Sequence, residues 1–145
     1  MIRYVSREDW NRWRVLWEGY LRFYREELAE EVSRHTFERL CDQRDNMFGF
    51  VAETDDGELV GIANALVHPT TWSRAGYCYL EDLFVARESR GSGSGRALVE
   101  AVVADARRRG AVKVYWHTQE FNGPARSLYD LLAKRVSFVV YERDL

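Results

Sequence analysis

Near the start of the chain the apolar positions follow a helical period, with Trp10, Trp13, Trp17, Tyr20 and Tyr24 on one stripe. Ser6, followed three residues later by Asp9, has the form of a capping box and marks where this first helix begins. Such an aromatic stripe serves either as core or as the wall of a ligand site, and core is the commoner use. A second helix is expected from Thr36 to Arg44. The period then shortens: Phe48 to Glu53 and Leu59 to Val67 read as strands joined by the turn Asp55-Asp56-Gly57, with Pro69 ending the second. A loop from Pro69 to Gly76 leads into a strand from Tyr77 to Val85, which carries the adjacent acids Glu81 and Asp82.

The helical period returns from Gly95 to Arg109, where Ala97, Leu98, Ala101, Val102 and Ala106 form the apolar face. Arg107 to Arg109 occupy its last turn and Gly110 lies just beyond, a C-terminal signal on both counts. Val112 to His117 is the next strand. Asn122 opens a further helix with Pro124 in its first turn, where the missing N–H is no loss, and Val136 to Tyr141 is expected to close the fold as a strand. Tyr77 to His117 is then a βαβ unit, which crosses over right-handed. The fold class is α/β: one mixed sheet, antiparallel in its N-terminal strands and parallel in the βαβ unit, with helices on both faces. Residues 1–145 read as one domain, since no linker or repeat interrupts them.

Composition narrows the function. The 145 residues are 46% hydrophobic and 30% charged with only two prolines, which is globular and leaves no disordered tail. A net charge of −2 gives no overall attraction to nucleic acid, and no apolar stretch is long enough for a membrane span. The expectation is a soluble cytoplasmic protein. Cys41 and Cys78 match no metal-ligand spacing and read as reduced, buried thiols, so no metal is expected.

Two segments carry candidate chemistry. Arg90-Gly91-Ser92-Gly93-Ser94-Gly95 runs from a strand into a helix, and a helix N-terminus that glycines leave open binds phosphate on its free N–H groups. A GxGxxG motif counted from Gly91 would need glycine at Arg96, and no GxxxxGK[ST] motif occurs, so the dinucleotide and P-loop readings fit poorly. Asn122-x-x-Ala125-x-x-Leu128-Tyr129 sets a cap, a small residue and a phenol along one helical face.

With the run Tyr79-Leu80-Glu81-Asp82-Leu83-Phe84-Val85 ahead of them, these segments resemble the GNAT acetyltransferases, and the spermidine/spermine acetyltransferase branch most closely. The resemblance implies a GNAT-type sheet and acetyl-CoA as acetyl donor. Backbone groups of Leu83, Phe84 and Val85 would pair with the pantetheine arm, and the turn from Arg90 through Gly91, Ser92, Gly93, Ser94 and Gly95 to Arg96 would hold the pyrophosphate. Asn122 and Ala125 would line the cofactor groove, Tyr129 would be the general acid, and the strands at Tyr77–Val85 and Val112–His117 would splay apart to admit the thioester.

The reaction itself asks for a neutral amine, a polarised thioester carbonyl and a proton for the departing thiolate. An alkyl amine with a pKa near ~10.4 must lose a proton before it attacks, and Glu81 is the candidate base. Neighbouring strand residues face opposite ways unless a bulge re-aims them, so Asp82 reads as a structural hydrogen-bond acceptor. A backbone N–H near Leu83 is the candidate oxyanion donor. Glu26, Glu27, Glu30 and Glu31 after the first helix, with Glu81 and Glu120, could form an acidic mouth for a cationic small-molecule amine, polyamine-like or amino-acid-like; separate solvated charges are the plainer reading. His117 and Gln119 could border the same pocket. A catalytically silent acyl-CoA-binding domain and a protein lysine or N-terminal acetyltransferase are the alternatives.

Two departures from the family pattern stand out. Ser137-Phe138 replaces the Gly-Phe that many relatives carry, and only one clear strand follows the tyrosine helix instead of two. An incomplete sheet edge invites association, so a homodimer is expected in which a second subunit covers or completes it.

Overall fold

The computed structural model describes residues 1–145. Its five-stranded sheet has the order β1 (Ile2–Tyr4), β2 (Met47–Glu53), β3 (Leu59–Thr70), β4 (Ser73–Val85) and β5 (Val114–Tyr115). The first four strands pair antiparallel and β4 pairs with β5 in parallel, which is the mixed sheet expected from the sequence. Helices α1 (Trp10–Phe23) and α2 (Glu30–Cys41) cover one face, and α3 (Ser94–Arg108) covers the other. Helix α4 (Gly123–Leu132) follows β5. No helix is long and apolar enough to cross a membrane.

Alternation along the strands builds two cores. Ala63 and Ala65 of β3 join Cys78, Leu80, Leu98, Val99 and Val102 on the α3 face. Ile62 joins Trp13, Leu16, Trp17, Phe37 and Leu40 on the other. The aromatic stripe of α1 divides accordingly: Trp13 and Trp17 are buried core, whereas Tyr20 and Tyr24 lie half-buried at the open end of the helix. Both cysteines are free thiols, and burial pushes the Cys78 thiol up to about 11.

The capping segment does more than start a helix. Asp9, fully buried, accepts the Ser6 backbone N–H at 2.8 Å and a bidentate pair from Arg3 at 2.7 and 2.9 Å. Arg3 also reaches Glu53 at 2.8 Å, so β1, the α1 start and the end of β2 are tied together. The Arg3 guanidinium and the Ser6 N–H outweigh burial and hold the Asp9 carboxyl at about 2.

Five elements differ from the sequence expectation, the first being β5, which holds only Val114–Tyr115 of the expected Val112 to His117. The second helix begins at Glu30 instead of Thr36, because Glu30 and Glu31 sit in its first turn where carboxylates favour the positive end of the dipole. Strand β1 was unforeseen, since three residues are too few to show a period. The expected loop from Pro69 to Gly76 is a tight hairpin: β3 continues to Thr70, and the register steps from His68↔Tyr77 to Thr70↔Ser73, leaving Pro69 outside the ladder. Val136 to Tyr141 does not join the sheet. Beyond Ala133 the chain has no regular structure, and residues 134–145 make no backbone hydrogen bond to the sheet.

Candidate functional site

The site is built around an irregularity in β4. Asn64 of β3 pairs with Asp82 but the next residue, Ala65, pairs with Leu80, so Glu81 is an extra residue with no partner. Core membership confirms the bulge: Cys78 and Leu80 pack on the α3 face before it, and Leu83 and Val85 pack on that same face after it. The parity of the strand therefore switches at Glu81. Asp82 and Phe84 are turned to the α1 face, and Glu81 is left exposed at the surface of the same region.

Asp82 is the charge that this turn buries. Only 8% exposed, its carboxylate accepts a hydrogen bond from Asn64 Nδ2 at 3.0 Å, and the Tyr20 hydroxyl, 3.5 Å from the Glu81 carbonyl oxygen, lies beside it. Burial raises its pKa from 3.8 to about 6 against the pull of those two donors, and the Glu81 charge adds to the rise. Asn64 Oδ1 is buried with no partner.

A set of phenols surrounds this carboxylate. Burial raises the Tyr20 and Tyr24 pKa values, with the Asp82 charge next in size for both. Their rings meet at 5.0 Å. Tyr79 stacks on Tyr115 at 5.0 Å, its hydroxyl lies 3.2 Å from His117 Nδ1, and Tyr115 is 2.7 Å from His68 Nε2. Burial lifts the Tyr79 pKa, and the nearby charges of Glu81, Asp82 and Tyr24 push the same way.

Past this cluster β4 and β5 part. Their ladder consists of Cys78↔Val114 and Tyr79↔Tyr115, so β4 from Leu80 to Val85 is paired with β3 alone and its other edge is free. Leu83, Phe84 and Val85 lie on this free edge, and it runs straight to the glycine turn. There Gly91 and Gly93 adopt φ of 82° and 87°, a region that side chains disfavour. A Cβ built on either would meet nothing within 4 Å, so open space lies in front of the turn.

The turn fits a phosphate group. Gly93 is the N-cap of α3, and the N–H groups of Gly93, Gly95 and Arg96 have no acceptor within the protein. Ser92 and Ser94 share a hydrogen bond at 2.8 Å and add two hydroxyls. Arg90 is exposed and donates through Nε to the Val85 carbonyl oxygen at 3.1 Å, which closes the turn against the strand end.

The opposite wall is α4. Asn122 caps it, accepting the Ala125 N–H through Oδ1 at 3.3 Å. Tyr129 lies two turns on, with its ring edge-to-face on Trp116 at 5.4 Å and its hydroxyl making no hydrogen bond in the protein. Burial pushes the Tyr129 phenol up to about 12, and the next contribution comes from Tyr24 across the groove, so the proton stays on its oxygen at neutral pH.

The structure gathers Glu81, His117 and Tyr129 around the parted strands. It does not gather the other acids. Glu26 and Glu27 are exposed beyond the end of α1 without an ion pair, and Glu30 lies 3.6 Å from Arg14. Glu120 is exposed and takes part only through its carbonyl oxygen, which accepts from Arg126 at 2.6 Å. Sequence reasoning had Asp82 as a hydrogen-bond acceptor, which its bond from Asn64 matches, and missed its burial beside Tyr20 and Tyr24. The signal was present: Leu80 and Leu83 can both be core on one strand face only if a residue between them is bulged.

Comparison with known proteins agrees with this architecture. The family model described as "Acetyltransferase (GNAT) family" matches residues 12–132. The D-amino-acid N-acetyltransferase HPA3 of Saccharomyces cerevisiae is 32% identical over 99% of this chain and 90% of its own. Among solved structures, the aminoglycoside N-acetyltransferase AAC(6')-Iy with a bisubstrate analogue superposes with a TM-score of 0.85 at 20% identity, covering 100% of this chain and 97% of that one. The ribosomal-protein-alanine N-acetyltransferase of Brucella melitensis biovar Abortus 2308 gives a TM-score of 0.80 at 19% identity, covering 100% and 99%. A bulged β4 with one free edge, a glycine turn with free N–H groups and a family match over most of the chain lead to one conclusion: this protein belongs to the GNAT acetyltransferase family.

Proposed function

We propose that this protein transfers the acetyl group of acetyl-CoA to the primary amine of a small molecule, with an amino acid as the first acceptor class and a polyamine as the second. The observation that carries the proposal is the free edge of β4 between the carboxylates and the glycine turn, with Tyr129 across the groove. The glycine turn offers the pyrophosphate its backbone N–H groups, and the open edge from Leu83 to Val85 offers the pantetheine amides a strand-like partner. A likeness to a D-amino-acid N-acetyltransferase over nearly the whole chain supports the amino-acid class. The Tyr79 to Val85 run and Asn122-Gly123-Pro124 support the polyamine class.

Each chemical task then has a residue. The amine gives up a proton to Glu81, the exposed acid whose charge bears on Tyr79, Tyr115 and Asp82. Asp82 supplies a buried negative charge that holds the cationic acceptor before deprotonation. The nitrogen attacks the thioester carbonyl carbon, a backbone N–H near Leu83 meets the charge growing on its oxygen, and the C–S bond breaks. Tyr129, which keeps its proton through the neutral range, supplies it to the departing sulfur, and the second proton shed by the nitrogen as the amide forms passes through water to restore the phenol.

The test is CoA release from acetyl-CoA across D- and L-amino acids, polyamines, aminoglycosides and peptides, corrected for hydrolysis without acceptor. Release driven by a free amino acid or polyamine is the expected result. Release with peptides alone would make the acceptor a protein. Acetyl-CoA binding without release from any acceptor would make the domain catalytically silent.

A further inference from the structure

We infer that the acceptor is a monoamine carrying an aromatic ring, an arylalkylamine or an aromatic amino acid, whose ring lies on a floor of phenols and imidazoles running from Glu81 along β4 and β5. This assignment rests on the acetyl transfer proposed above, and it excludes the polyamines.

Strand parity builds the floor. Cys78 and Leu80 of β4, with Val114 and Trp116 at β5, pack on the α3 face, so Tyr77, Tyr79 and Tyr115 stand on the opposite face. His68 of β3 and His117 after β5 join them there. The ring centres of Tyr79 and Tyr115 are 5.0 Å apart in a stack, and His117 lies 5.2 Å from Tyr79 and 6.0 Å from Tyr115. His68 stands edge-on to Tyr77 at 6.0 Å and to Tyr115 at 5.7 Å. Two hydrogen bonds fix the rings to one another, Tyr79 hydroxyl with His117 Nδ1 at 3.2 Å and Tyr115 hydroxyl with His68 Nε2 at 2.7 Å. Helices α1 and α2 pack elsewhere, on Val51, Ile62 and Phe84, and none of the five rings belongs to that core. Four of the rings are half-buried and His117 is exposed.

Rings held in place by one another on an uncovered sheet face are a preorganised aromatic surface. They offer a ligand ring the offset and edge contacts that an alkyl chain cannot reproduce. The floor is also continuous with the reaction site. Glu81 follows Tyr79 by two residues, and the charges of Glu81, Asp82 and Tyr24 all bear on the Tyr79 phenol, whose pKa burial raises first. An amine held by the two carboxylates therefore lays its substituent over Tyr79 and Tyr115.

The distribution of charge selects against a polyamine. Burial raises the pKa values of Tyr79 and Tyr115, and the carboxylates that add to the rise are Glu81 and Asp82 for the first and Glu81 for the second. Negative charge thus gathers at one end. At the other end the Lys113 ammonium lies 4.0 Å from the Tyr77 ring centre. Tyr77 precedes Glu81 by four residues, up to roughly 13 Å of strand at ~3.3 Å per residue. A second ammonium reaching along the floor meets a like charge where it needs a carboxylate. Glu26, Glu27 and Glu120 supply none, because all three stand exposed outside the ring cluster. One ammonium joined to one aromatic body suits both ends.

The test measures kcat/KM by CoA release for 2-phenylethylamine, D- and L-phenylalanine, the saturated analogue 2-cyclohexylethylamine and spermidine, beside the calorimetric affinity of each amine for the CoA-loaded protein. 2-Phenylethylamine should exceed its cyclohexyl analogue by about fivefold and spermidine by about 10²-fold; comparison with phenylalanine tells the arylalkylamine from the amino acid. Tyr79→Leu should abolish the margin over the cyclohexyl amine through the amine KM, and Tyr79→Phe should retain it. Lys113→Glu, a change at an exposed position, should improve spermidine relative to 2-phenylethylamine by about threefold or more. The assignment is overturned if spermidine or the cyclohexyl amine serves as well as the phenyl amines, if a Tyr79→Leu variant with the parent's melting temperature keeps the margin, or if Lys113→Glu brings spermidine no relative gain. Preferential binding of the phenyl amines without CoA release leaves the floor standing and removes the transferase reading, whereas release without preference for a ring removes the floor alone.

Discussion

Replacing Asp82 by asparagine should make the protein more stable at pH 8 while impairing its reaction. The buried carboxyl titrates at about 6 in the folded chain against 3.8 as its ordinary value. Between those values the folded state holds a proton that the unfolded state has released, so stability falls as pH rises through the window and is level above it. The difference corresponds to roughly 3 kcal/mol, at about 1.4 kcal/mol per pH unit, and serves as an upper bound. Asp9 and Asp105 titrate in the opposite sense, because Arg3 at Asp9, and the Tyr4 hydroxyl with Arg109 and Arg108 at Asp105, outweigh burial and lower their pKa values, so their stabilisation is lost as pH falls. The informative quantity is therefore the difference between Asp82→Asn and the parent chain, in which those contributions cancel. That difference should be small at pH 4 and should favour the variant by up to ~3 kcal/mol at pH 8, about 6–10 °C in melting temperature for a chain of this size. Urea denaturation at several pH values, with melting curves beside it, measures it. The expected kinetic counterpart is a lower kcat/KM that no longer declines as pH falls through the region of 6. A stability difference that does not vary with pH would refute the reasoning, since Asp82 would then titrate as an ordinary carboxylate.

Two other substitutions probe the rest of the site. Tyr129→Phe should lower kcat by roughly 10²-fold or more while acetyl-CoA affinity measured by calorimetry stays close to the parent value; an unchanged rate would remove the phenol from the mechanism. Gly93→Ala places a side chain at φ 87° and should lower stability by about 1 kcal/mol and weaken acetyl-CoA binding by about tenfold through a displaced α3 N-terminus, as read by melting temperature and calorimetry.

The mixed sheet, the hairpin and the α3 boundaries were legible in the sequence because each rests on local pattern: alternation, an Asp-Gly turn, a 3.6-residue period ended by Gly110. The glycine turn was legible because only glycine accepts the φ values of Gly91 and Gly93. What escaped depends on partners distant in sequence. Three-residue β1 exists because β2 lies ready to pair with it. Asp82 reads as a structural hydrogen-bond acceptor, but its burial on the α1 face follows only from the step between Asn64 and Ala65. Glu26 and Glu27 looked like neighbours of Glu81, yet α1 ends with Tyr20 and Tyr24 facing the site and the glutamates beyond it in solvent. The final strand was legible as composition and not as placement, because strand composition does not name the strand it pairs with.

One bulge thus sets the different environments of the two acids to which the proposed acceptor chemistry is assigned. In a regular strand Glu81 and Asp82 would point to opposite faces, one of them into the apolar contacts of Leu98 and Val102. The extra residue lets the chain bury one acid beside Tyr20 and leave the other at the surface of the same region. The two environments drive the carboxyls apart in role. The buried acid has the raised pKa and pulls hardest on a cation, because a counter-charge relieves its burial. The exposed acid, the proposed base, stands at the solvent surface. In the proposed mechanism a cationic acceptor that binds below about pH 6 displaces the proton from Asp82, which couples acceptor binding to proton release. In the proposed mechanism the stability sacrificed at neutral pH reappears as affinity for a positively charged amine, the role for which a carboxylate held only by the Asn64 and Tyr20 donors is suited.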